Sequence, residues 1–132
     1  MKKMLTTLLI IAFSNTSITL HAQAKKSKKQ LEADVLEAQS YWSTLSKSAD
    51  ECVSEIQLIE KVGKKCSAAM EILEKRDAMT RMVPENASQI SYIVGVRRAR
   101  KFIAVKDRAN QDVSKMEKYI DWVNDRSDRK KK

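Results

Sequence analysis

From Leu31 to Leu73 an apolar residue or glycine recurs at alternating steps of four and three. The series is Leu31, Val35, Ala38, Trp42, Leu45, Ala49, Cys52, Ile56, Ile59, Gly63, Cys66, Met70 and Leu73. On a helix of 3.6 residues per turn these positions form one stripe, and a stripe of this kind must be buried against another helix. The chain has only Gly63, Gly95 and Pro84 of the residues that favour tight turns, which argues against a sheet of short-looped strands. The expected fold is therefore all-α: a small antiparallel bundle of three main helices with coiled-coil-like packing and no β-sheet.

The ends read differently from the middle. Residues 1–24 have the form of a cleavable export signal: Lys2 and Lys3, a short apolar run from Met4 to Phe13, then Ala22-Gln23-Ala24 as a small-x-small cleavage site. The apolar run is too short and too interrupted to span a bilayer, which takes about 20 residues. Residues 25–29 form a basic N-terminal segment, 30–125 the helical domain and 126–132 a basic C-terminal tail. Fifteen bases face sixteen acids between Gln30 and Asp125, so the overall charge of +9 belongs to the two ends. Charged ends of this composition are expected to be disordered. The expected location is periplasmic or secreted, with no transmembrane span once the signal is removed.

Composition also narrows the chemistry. The one histidine, His21, lies in the signal, so the mature chain has no imidazole for a general base, a triad or a metal site. No enzyme, cofactor or metal site is expected. Nucleic acid is a poor candidate ligand, because the basic cluster on the last helix carries only Phe102 as a stacking group.

Two arrangements of the seam remain open. A break at Gly63, followed by Lys64 and Lys65, suits a helix end. A second helix would then run from about Lys65 to Met82 and stop before Pro84. A third, capped by Asn86 and Gln89, would run to about Asn124 on a stripe of Val94, Phe102, Val105, Ala109, Val113, Met116, Ile120 and Val123, with Arg98 on the same stripe. Without the break, one helix of about 78 Å would project beyond its partner and need a second chain, making a homodimer. Ser48 and Glu51 have the spacing of a capping box, but the seam passes through them without a skip.

Cys52 and Cys66 test this choice. On one straight helix their Cα atoms would stand about 21 Å apart, beyond the reach of a disulfide. An intrachain Cys52–Cys66 bond therefore requires the chain to reverse between them, whereas a parallel coiled coil would give interchain bonds. A hairpin with the two cysteines level would turn near Ile59, so either the loop is asymmetric or the first helix ends before Gly63; reduced cysteines acting as small core residues are the remaining reading.

The candidate partner-binding residues are Arg97, Arg98, Arg100, Lys101 and Arg108, opposed nearby only by Asp107. With Ile90, Ile93 and Val94 one to two turns earlier they would form a mixed basic and apolar surface for an acidic protein partner. The competing use of these bases is attraction to the acids of the first helix, among them Glu32, Asp34 and Glu37. Tyr41, Trp42, Tyr119 and Trp122 would meet at one end if the first and third helices packed antiparallel. Met70, Met79, Met82 and Met116 read as core filler. The functional expectation is an exported, non-catalytic helical protein that acts by protein–protein binding, as an inhibitor or immunity-type neutraliser. The alternative is a coiled-coil periplasmic chaperone or envelope scaffold.

Overall fold

The computed structural model describes residues 26–130; the expected signal, Lys25, Lys131 and Lys132 lie outside them. The described chain is all-helical: α1 (Lys28–Ile59), α2 (Lys64–Leu73), α3 (Arg76–Met82), α4 (Ala87–Val94) and α5 (Val96–Lys130). Among the described residues no helix is long and apolar enough to cross a membrane.

The chain divides into two units between Leu31 and Glu32. In the described part of the first, the Ser27 hydroxyl accepts from Gln30 N at 3.1 Å and the Ser27 carbonyl accepts from Leu31 N at 3.0 Å. Ser27 thus caps α1, and the helix begins two residues before the expected Gln30.

The second unit is a helical bundle. The seam residues Val35, Ala38, Trp42, Leu45, Ala49, Cys52 and Ile56 are all buried on α1. The helix runs unbroken past Ser48 and stops at Ile59. Asp34, one of the acids of the first helix, is buried beside Val35. On the return path α2 contributes Cys66 and Ala69, while Met70 is exposed rather than in the core. α4 adds Ile90 and Ile93, and α5 adds Ala99, Phe102, Ala109, Val113 and Met116.

The reversal between α1 and α2 spans residues 60–63, ahead of the expected stop at Gly63. Glu60 still donates its N–H to Ile56 O at 2.8 Å, then takes a left-handed backbone with φ 56°. That conformation costs a side-chain-bearing residue about 1–2 kcal/mol. The Glu60 carboxylate accepts a hydrogen bond from Arg126 Nη1 at 2.7 Å, which ties the turn to α5. Gly63 itself has an extended φ of −108° and is needed for room. A Cβ there would stand 2.5 Å from Glu55 Oε1. The same carboxylate accepts from Lys65 N at 3.3 Å and Cys66 N at 3.2 Å. Glu55 therefore caps α2 from α1, since Gly63 has no side chain with which to do so. One turn away Cys52 and Cys66 are disulfide-bonded within the chain, with Cα atoms 4.3 Å apart. Closing a loop of this size removes about 3 kcal/mol of conformational freedom from the unfolded chain.

The expected second helix is two. α2 ends at Leu73 and α3 starts at Arg76, and the Tyr41 hydroxyl donates to Ile72 O at 2.6 Å at that joint. Burial pushes the Tyr41 phenol above its ordinary pKa, against an opposing pull from Arg76. Val83 is extended ahead of Pro84 (φ −120°, ψ 139°), and Asn86 caps α4 by accepting from Ser88 N at 2.8 Å. The expected third helix is also divided, at Gly95, and α4 packs against α5.

The up–down–up course makes α1 and α5 parallel. Lys106 lies over the Trp42 ring at 5.6 Å, the Ser46 hydroxyl donates to Asp112, Gln57 Nε2 donates to the Tyr119 hydroxyl at 3.1 Å, and Arg126 reaches Glu60. Numbers rise together along both helices. The four aromatic residues are accordingly not gathered. Tyr41 and Trp42 stack edge to face at 5.2 Å near the middle of α1, and Trp122 stands towards the far end of α5 under Arg126, 5.2 Å from its ring. The stretch 126–130, expected as a disordered tail, continues α5 because Arg126 bonds Glu60 and Arg129 bonds Asp125 one turn back at 3.2 Å.

Two outcomes follow from the turn. Glu55→Ala lowers the urea unfolding free energy by about 1 kcal/mol through loss of the cap. Gly63→Ala costs a similar amount in the wild type and clearly less in the Glu55→Ala background, because both changes remove one interaction. Strict additivity in that double-mutant cycle would refute the cap. The hydrogen bond and charge of Arg126 hold the Glu60 carboxyl below the usual carboxylate range. A depressed folded pKa stabilises above the unfolded value of about 4.3 and loses that contribution as pH falls through the folded value. Carboxyl NMR titration should place the Glu60 midpoint higher in Arg126→Gln than in the wild type.

Candidate functional site

The basic cluster lies on the first four turns of α5, and the break at Gly95 decides how it is presented. Gly95 has φ 91° and ψ 159°, a region open essentially to glycine alone. No atom would crowd a Cβ there within 4 Å, so conformation, not space, demands glycine at this position. Its N–H donates to Ser91 O at 2.7 Å, closing α4, and its carbonyl accepts from Ala99 N at 3.0 Å, opening α5.

The break resets the helical phase. Ala99, 1 % exposed, takes the core position, and Arg98, expected on the buried stripe, is exposed. Arg97, Arg100, Lys101 and Arg108 are exposed as well. Arg98 and Lys101 meet across a shallow groove with Glu32, Val35, Leu36 and Gln39 of α1 and Val94 at the end of α4. Arg97 and Arg100 do not line it. Arg108 stands about 10 Å farther along the axis from Lys101, where its Nε is 4.0 Å from Asp112. Ile90 and Ile93, expected on the same outward surface, are buried under α4. The apolar part of this surface is instead Leu36, 59 % exposed, and Val96.

Among the described residues no ion pair joins Arg97, Arg98, Arg100 or Lys101 to an acid of α1; the pairs formed are Lys65–Glu51, Arg108–Asp112, Arg126–Glu60 and Arg129–Asp125. Glu32 shares the groove with Arg98 and Lys101 without reaching bonding distance. The cations at this end are therefore not consumed by the acidic first helix. They stand beside the exposed Leu36, with Glu32 in the same groove.

Lys106 belongs to the same run of bases, but its contact with Trp42 is not anticipated by the sequence. It is half-buried and its ammonium covers the buried Trp42 ring, a cation–π contact. The signal that exists is positional: Trp42 falls on the seam of α1 and Lys106 follows Val105 on the stripe of α5.

Gly95→Ala forces an L-residue into the forbidden region and should lower the unfolding free energy by about 1–3 kcal/mol, read from the urea midpoint. Relaxation of that strain would move Val94 relative to Arg98 and alter the groove, seen as amide shifts at both residues. Comparison of the chain with protein-family models, with curated proteins and with solved structures finds no match.

Proposed function

We propose that the mature chain is an exported, non-catalytic protein that works by binding another protein, as an inhibitor or neutraliser. Its binding surface is the groove between α1, α4 and α5, and the partner presents an acidic segment with an apolar side chain. The observation that carries this reading is the exposed set Arg97, Arg98, Arg100 and Lys101, with no ion pair to α1, beside exposed Leu36 and Val96. Leu36 supplies the apolar contact, Arg98 and Lys101 flank it, and Arg97 and Arg100 extend the field that steers encounter.

An intrachain Cys52–Cys66 bond suits an oxidising compartment, which supports export. The scaffold alternative, in which a long free seam recruits other chains, draws less support. Trp42 and Leu45, which such a seam would offer, are covered within this chain's own bundle.

Envelope extract passed over the immobilised mature protein should yield one stoichiometric protein partner. Arg98→Glu with Lys101→Glu should weaken that complex about a hundredfold, since like charges replace attraction at an interface. Calorimetry at low and high salt should show the wild-type affinity falling with ionic strength. Equal capture by the wild type and the charge-reversed variant would refute the assignment of the groove.

A further inference from the structure

The opposite end of the bundle carries a second surface that the groove does not explain. Leu58 is 83 % exposed, Ile59 49 %, Val62 37 % and Trp122 46 %. The first three sit on the tip of the α1–α2 hairpin. Trp122 belongs to the same end, because its neighbours on α5, Tyr119 and Arg126, bond Gln57 and Glu60. Leu58, Ile59 and Val62 are apolar where a turn between two helices is ordinarily polar, and Trp122 carries Arg126 over its ring.

The turn itself is basic, while the acids beside Leu58 and Ile59, namely Asp50, Glu51 and Glu55, lie one to two turns back along α1. Glu60 is occupied by Arg126 and Asp125 by Arg129. Lys61, Lys64 and Lys130 are exposed around the apolar tip and have no ion pair among the described residues. An apolar projection with amines at its very tip and a tryptophan beside it matches the boundary between anionic headgroups and acyl chains. Leucine and isoleucine enter the hydrocarbon edge, the indole stays at the headgroup level, and the lysines meet phosphate. A protein partner would be expected to offer its apolar anchor a pocket, and here the apolar groups stand on a projecting turn.

We propose that this hairpin tip docks the protein on the surface of an anionic lipid bilayer. The contact is peripheral and leaves the groove at the other end of α1 and α5 facing away from the membrane. This inference is independent of the groove's partner.

The test uses the mature chain with vesicles of phosphatidylglycerol and phosphatidylcholine, and with vesicles of phosphatidylcholine alone. Binding to the anionic vesicles should exceed binding to the neutral ones by at least about tenfold and fall with salt. Trp122 emission should shift to the blue and be quenched by brominated lipid. Trp42, 1 % exposed, should respond to neither, so Trp122→Phe should abolish the response. Leu58→Ser with Val62→Ser changes exposed residues and should leave the circular dichroism unaltered while weakening vesicle binding about tenfold.

Vesicle binding that survives Leu58→Ser with Val62→Ser would assign the attraction to the basic ends of the chain and overturn the proposal. So would equal binding to neutral vesicles. Absence of vesicle binding, with a dimer or a captured protein lost on the same substitutions, would make the tip a protein interface instead and overturn it as well.

Discussion

The carboxylate of Glu55 and the Cys52–Cys66 bond close one short reversal of the chain, and the bundle exists because of that closure. Without it α1 would present its stripe to solvent or to another chain. With it, the backbone N–H groups at the start of α2 are satisfied from α1, and the two helices meet at a Cα separation of 4.3 Å. The cap and the bond act at one point by different means. The bond limits the unfolded chain, and the cap satisfies orphan donors in the folded one.

Once the hairpin is shut, the direction of every other element follows. α5 must run parallel to α1, and this places like-numbered features side by side along both helices. Lys106 over Trp42, Asp112 at Ser46, Tyr119 at Gln57 and Arg126 at Glu60 form a ladder along the length of the pair. The same geometry separates the two surfaces with functional character. The basic groove lies where α5 begins, and the apolar tip lies where it ends.

The four-three spacing made α1 legible to within a few residues, and burial follows it from Val35 to Ile56. The requirement that Cys52 and Cys66 meet placed the turn better than glycine did. Gly63 marks a helix end in the sequence, but the left-handed residue is Glu60, and spacing does not reveal that Arg126 would hold a glutamate there. The space-filling reason for Gly63 depends on Glu55, eight residues earlier on another helix, and is invisible to local reading. Gly95 was passed over because apolar periodicity continues across it, and that omission put Arg98 on the wrong face. The parallel relation of α1 and α5 was implicit in an up–down–up course, yet the aromatic residues were assigned to a common end. Ser27 with Gln30 has the form of a capping box and marks the true start of α1. The final residues looked like a tail because their charge was counted without their partners, Glu60 and Asp125.

The contacts that shut the hairpin span 10 to 14 residues, whereas those joining α1 to α5 span 62 to 66. Loop closure over the longer distance costs roughly 1.4 kcal/mol more. Closure of the hairpin is therefore the less costly step in conformational freedom, and cover for Trp42 from Lys106 depends on the more costly, distant one.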